Sequence, residues 1–259
     1  RYMGVLIMFT MSWGDITIPE GESLTIEPGV RVKFDTGVSM ICNGQLIANG
    51  TEDARISFSS RQPTPLPGDW GNISLNAESN QLHFVDYQYA SIGITGDNAT
   101  GSTFDHIVVS DLLLSANGVY LENTAGVEFT NNNIFVQNGN YGLYLTGSGD
   151  NIVTDNFLSG ATSRGIWVDQ AQGSSGDFSR NSISNNGGDF SMYINFCDSC
   201  EISENVITGS AEWGIYTNNI SQSNFSLNTV TGLRSGIHMY GSGVYGSNTF
   251  NQNSILEFN

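Results

Sequence analysis

The sequence predicts an all-β chain wound as a right-handed parallel β-helix, a single-stranded solenoid of about ten coils. Three observations predict it. First, residues 115–258 open a short strand six times behind a small residue: Gly118-Val-Tyr-Leu, Gly142-Leu-Tyr-Leu, Gly165-Ile-Trp-Val, Ser191-Met-Tyr-Ile, Gly214-Ile-Tyr-Thr and Gly236-Ile-His-Met. Second, each opening is followed by an apolar residue, an Asn or Asp, and another apolar residue. These are Phe129/Asn132/Ile134, Ile152/Asp155/Phe157, Phe178/Asn181/Ile183, Ile202/Asn205/Ile207, Phe225/Asn228/Val230 and Phe250/Asn253/Ile255. Third, the openings recur after 24, 23, 26, 23 and 22 residues, too short a period for paired helices, with no helix-length amphipathic run between them.

One such strand cannot bury its apolar face alone, but coils stacked about 4.8 Å apart bury a continuous core. The column Asn132, Asp155, Asn181, Asn205, Asn228 and Asn253 fits the tight turn between two strands. Asn and Asp tolerate a left-handed backbone and bond their own main chain, and stacked they can also bond one another up the rod. A leucine-rich repeat is the competing solenoid, but its Leu-x-x-Leu-x-Leu pattern is absent.

A solenoid is one elongated unit, so 259 residues read as a single domain. It divides into N-terminal coils (1–81), less regular transition coils (82–114) and six regular coils (115–259). The net charge of −17, with 8 basic residues, argues against a nucleic-acid or anionic-membrane partner. It suits a solvated acidic surface or bound cations. No span of 18 apolar residues crosses a membrane.

In chain order, Arg1 to Trp13 carries an eight-residue apolar run and reads as a mature first strand rather than a signal remnant, since no small-x-small cleavage site follows. Apolar on both faces, it needs a cover. Leu24, Ile26, Val30, Val32 and Phe34 then alternate as strands do, broken by a Pro28-Gly29 turn. Residues 61–69 hold three of the five prolines and form a loop bulging from the rod before the pattern resumes at Trp70. In the transition coils Leu82, Phe84, Phe104 and Val109 continue the core columns, with a turn over 97–102.

Residues 16–34, 44–51, 56–60 and 68–73 (Gly-Asp-Trp-Gly-Asn-Ile) resemble the opening coils of secreted bacterial and archaeal right-handed β-helix proteins. Residues 82–258 resemble the pectate-lyase-type repeats that follow in those proteins and in periplasmic copper-binding β-helix proteins. The resemblance implies fold and export; activity does not follow, because this fold hosts lyases, hydrolases, adhesins and structural proteins.

Within each repeat strand the second and fourth positions are aliphatic and face inward, so the third faces out. Tyr120, Tyr144, Trp167, Tyr193, Tyr216 and His238 thereby form a ladder on one face, each flanked on its outward side by Gly or Ser. The next outward column is Glu122, Thr146, Asp169, Asn195, Asn218 and Tyr240. Such a ladder can brace a parallel sheet, stack sugar rings, or pack against another subunit.

For an enzyme of the resembling families, lyase chemistry would need clustered acids around Ca²⁺ beside an Arg or Lys. Lys33 falls in a structural segment, and Arg164, Arg180 and Arg234 fall near turns. A hydrolase would need converging carboxylates. Glu122 and Asp169 share a face two coils apart, roughly 9.6 Å, at or beyond the upper edge for an inverting pair. The paired-Asp and Gly-His-Gly motifs of polygalacturonase-like hydrolases are missing. His83, His106 and His238 stand singly.

Cys197 and Cys200 fall in a turn where a local disulfide or two free thiols both fit, while Cys42 faces inward by alternation. No metal set and no cofactor is called for. A column of Glu128, Asn151, Asp177, Glu201 and Asn224 could hold Ca²⁺ or be a solvated face. The five Asn-x-Ser/Thr sequons, at Asn49, Asn72, Asn98, Asn219 and Asn224, match chance for this composition. Open rod ends pair with other molecules unless capped. The expected function is therefore an extracellular or cell-envelope structural solenoid whose partner is itself, assembling through its ends and aromatic face. The alternative is a polysaccharide-binding or polysaccharide-cleaving β-helix using the same face.

Overall fold

A computed structural model describes residues 14–147, 149–241 and 247–257. The strand expected over residues 1–13 lies outside them.

The described chain is all β, and its strands pair only with their equivalents one coil above and below, in parallel, through about ten turns. Each coil has three faces. Strands of the first face run from Ile16–Ile18 to Ser235–Tyr240. Those of the second run from Ser23–Ile26 to Thr249–Asn251. Those of the third run from Arg31–Phe34 to Ser254–Glu257. Arg164–Asp177 and Phe190–Ser203 continue around the corner from first to second face. Among the described residues no helix is long and apolar enough to cross a membrane.

Alternation fills the rod. Val119, Leu143, Ile166, Met192 and Ile215 stack as one buried column, and Leu121, Leu145, Val168 and Ile194 as another. After the 61–69 loop the chain drops Trp70 into the core, where its ring lies 4.1 Å from that of Phe34, 7° from parallel. The loop is held from its base, because the Asp69 carboxylate accepts bonds from the Ser60 hydroxyl at 2.7 Å and the Leu66 amide at 2.9 Å.

Asparagine, never aspartate, occupies the interior turn. Asn132, Asn156, Asn181, Asn205, Asn228 and Asn253 form one ladder in which each Oδ1 from Asn156 upward accepts the backbone N–H of the Asn below, and that of Asn132 accepts the Ile107 amide. Each Nδ2 meanwhile donates to a main-chain carbonyl of the previous coil. Asp155 is therefore not a rung; its neighbour Asn156 is. An ionised carboxylate only accepts, so it could not serve the Phe129 carbonyl, and it would bury a charge. The second- and third-face strands of this coil shift by one residue with it, while the first face keeps Tyr144 opposite Tyr120. Val153 and Leu158 are buried, whereas Ile152 and Phe157 turn outward. Asn151, expected in the outward column, is buried and accepts the Val127 amide at 3.0 Å.

Three smaller expectations also change. The left-handed residue is the one before each rung (Asn131, Asp155, Arg180, Glu204, Leu227 and Gln252), which swings the Asn side chain inward. Phe84 leaves the core column at φ 49° and stacks on His106, ring centroids 4.5 Å apart. The glycines that open the repeats do not line the outside. A Cβ on Gly142 would come within 2.7 Å of the Gly165 carbonyl and 2.9 Å of Leu158 Cδ2, so this corner admits almost no side chain.

Candidate binding face

The first face carries the aromatic column in unbroken register: Tyr120 pairs with Tyr144, then Trp167, Tyr193, Tyr216 and His238. Below it the same column is Thr95, Ser74, Ile41 and Thr17, so the aromatic surface begins at Tyr120. Neighbouring rings lie 4.2, 6.4, 3.8, 5.7 and 5.0 Å apart and within 25° of parallel. Their faces therefore look along the rod at one another, and their edges meet solvent. Such pairs are worth about 0.5–1.5 kcal/mol each beyond area burial, so part of the ladder's role is to brace the sheet.

Sequence reasoning missed a second column beside it. Three residues before each rung from Tyr144 upward stand Tyr141, Arg164, Phe190, Trp213 and Ser235, also in register. Tyr141, Phe190 and Trp213 are turned 66°, 52° and 71° from the rung of their own coil. Their planes thus cross the ladder rather than joining its stack. The signal was present as a ring or Arg three places before the aromatic. It was obscured because strand alternation assigns that position to the inside, and the corner bend beside the glycine turns it out.

Arg164 is not beside a mere turn. Its guanidinium lies 4.3 Å from the Trp167 ring centre, 5.5 Å from Tyr141 and 5.8 Å from Phe190. Nη1 donates to the Tyr141 hydroxyl at 2.9 Å, and Nη2 is 3.6 Å from Asp189.

On the other side of the ladder Thr146, Asp169, Asn195, Asn218 and Tyr240 follow in register. Asn195 donates to Asp169 Oδ1 at 2.8 Å and is only 7% exposed. Glu122 accepts from the Tyr120 hydroxyl at 3.1 Å. Glu122 and Asp169 therefore sit two coils apart in one column with Thr146 between them, each engaged by a neighbour. Burial, with the Glu122 carboxylate beside it, pushes the Tyr120 phenol up, and burial raises Tyr193 and Tyr216 as well. These phenols stay protonated and can donate.

The other candidates lie elsewhere. His83 faces Thr103 at 2.8 Å and His106 pairs with Asp105 at 2.9 Å. Cys42 is buried alone, and desolvation pushes its thiol up to about 12. Cys197 and Cys200 are paired with Cα atoms 5.9 Å apart, on the continuous strand where first and second faces meet. Among the described residues no three His, Cys, Asp or Glu side chains converge as metal ligands.

Solved structures share the fold. The periplasmic alginate epimerase AlgG, as a single mutant, matches with a TM-score of 0.52 at 10% identity, covering 94% of this chain and 76% of that one. Its double mutant matches with 0.52 at 11% identity and the same coverage. An endopolygalacturonase from Stereum purpureum, complexed with galacturonate, gives 0.40 at 13% identity over 93% of this chain and 94% of that one. No curated protein matches the sequence. A family model described as periplasmic copper-binding protein (NosD) matches residues 73–257.

Proposed function

This chain belongs to the NosD family of periplasmic copper-binding proteins, and we propose that its first face binds a polysaccharide lying along the rod, outside the cytoplasmic membrane. One observation carries the reading: two adjacent columns of rings run in register, with a hydroxyl-, amide- and carboxylate-bearing column alongside. The six rungs span five coil spacings, about 24 Å, so successive sugars of one chain would meet successive coils. Tilted rings offer surfaces for pyranose rings, and the protonated phenols with Thr146, Asp169 and Asn218 offer partners for hydroxyls.

The metal in the family's description finds no matching ligand set among the described residues. Copper favours thiolate, thioether and imidazole, and the described methionines, Met40, Met192 and Met239, lie in or against the hydrophobic core. Here the histidines are dispersed on separate partners, Cys42 is buried alone and the other two cysteines hold each other. No step of the reading runs through copper.

Assembly of copies through the same face is the competing reading. Interface cores are depleted of charge, whereas Arg164, Asp169, Asp189, Glu212 and Arg234 are interleaved with these rings. The test is titration of the whole chain with neutral and acidic oligosaccharides, followed by tryptophan fluorescence, alongside sedimentation of the free chain. Saturable binding by a monomer, weakened about tenfold by Trp213→Ala, is expected. Concentration-dependent assembly without glycan binding would sink the proposal in favour of self-association.

A further inference from the structure

Arg164 differs from the other paired arginines. Arg55, Arg61, Arg180 and Arg234 meet Asp86, Asp35, Asp155 and Glu212 at 2.8, 3.1, 2.8 and 3.2 Å, whereas Arg164 stands 3.6 Å from Asp189. The Arg164 side chain is 22% exposed and clamped among three rings, while that of Asp189 is 60% exposed. Two donors on this patch lack an acceptor: Nε of Arg164 and, on the ring directly against it, Nε1 of Trp167.

From this we infer that Arg164 is a carboxylate-reading position, and that the polysaccharide bound by the first face carries uronic acid residues. The inference rests on the glycan reading above. With Nη1 committed to the Tyr141 hydroxyl and the guanidinium held among three rings, Nη2 is the donor left for a ligand, and a carboxylate there gains a charge-assisted bond that a neutral hydroxyl matches poorly. The Asp189 side chain holds the place loosely. Its backbone carbonyl is pinned by the Trp213 amide at 2.9 Å, so only the exposed carboxylate has to swing away when a sugar carboxylate arrives. Asp189 is then a built-in competitor: it lowers affinity for anions without touching the rest of the glycan.

The experiment titrates the full chain with an oligouronate of about six residues and with the same oligomer after chemical reduction of its carboxyl groups to alcohols. The charged oligomer is expected to bind about tenfold tighter, the ratio of one charge-assisted contact. Arg164→Gln should abolish that ratio, and Arg164→Lys should restore part of it, with melting curves checking that the rod survives. Asp189→Asn should raise affinity for the uronate severalfold and leave the reduced oligomer unchanged. Glu204→Gln, which removes the same charge from another corner, should do neither. Equal affinity for the two oligomers, or an Asp189→Asn variant indistinguishable from the parent, would overturn the inference while leaving the glycan reading intact. Binding of neither oligomer would overturn both.

Discussion

Asn181 serves Asn156 twice. Its Oδ1 accepts the backbone N–H of Asn156 at 3.2 Å and the Nδ2 at 2.9 Å, while its own Nδ2 donates to the Val153 carbonyl at 2.8 Å. Both residues are at most 2% exposed. The turn is therefore knitted by amides that donate and accept at once, and no other uncharged side chain of that length does both.

Asn181→Ala should orphan the Asn156 amide and the Val153 carbonyl inside the rod, costing about 3 kcal/mol in urea unfolding. Asp155→Asn, one residue from a rung, should change stability by less than about 0.5 kcal/mol. It breaks only an exposed pair with Arg180 and keeps a residue that tolerates φ 61°. A reversed ranking would mean that Asp155, not Asn156, is the rung.

Gly214→Ala should cost about 2 kcal/mol or more, because the new methyl would meet Val230, the Gly236 carbonyl at 2.7 Å and Leu233 at 3.1 Å. Gly187→Ala, whose new methyl would make only an ordinary 3.5 Å contact with the Thr162 carbonyl, should be near neutral by the same thermal melt.

Acid should loosen the rod from identifiable groups. Hydrogen bonds from Ser175 hold the Asp150 carboxyl below its usual range, and the bond from Arg180 does the same for Asp155. Because the folded values are lower, the stability they contribute is fully present above about pH 4, where unfolded carboxylates ionise, and is lost as pH falls through the folded values. Urea midpoints should stay level from neutrality to that point and then drop. The double variant Asp150→Asn/Asp155→Asn should drop less.

Thiol counting separates the cysteines. Native protein should resist iodoacetamide, since Cys42 is buried with its thiol at about 12 and the other two are paired. Unfolding without reductant should expose one thiol, and unfolding with reductant all three. Three labels without reductant would refute the Cys197–Cys200 bond.

Trp167→Leu should cost about 1–2 kcal/mol by removing its stack on Tyr193, 3.8 Å between ring centres, and its contact with Arg164. A double-mutant cycle with Tyr193→Leu should return a coupling of about 1 kcal/mol; zero coupling would assign the rungs to ligand contact alone.

In four of the six coils 12 residues separate the aromatic from its asparagine: Tyr120 from Asn132, Tyr144 from Asn156, Tyr193 from Asn205 and Tyr216 from Asn228; the corner is longer by two after Trp167 and by three after His238, before Asn181 and Asn253. The slip at Asp155 arose where Ile152-Val153 and Phe157-Leu158 put apolar residues at both parities. Hydrophobicity alone then cannot choose a register, and hydrogen-bonding capacity does.

By itself the sequence determined the solenoid, its period and the outward aromatic column, because strand alternation and repetition are local properties written in every coil. Only the tertiary structure decided the second column of rings, the placement of Arg164 against Trp167 and Asp189, and which asparagine enters the rod. Those depend on how the chain bends at each corner and on what the next coil offers in return. That is a matter of partners some two dozen residues away, which no pattern within one coil records.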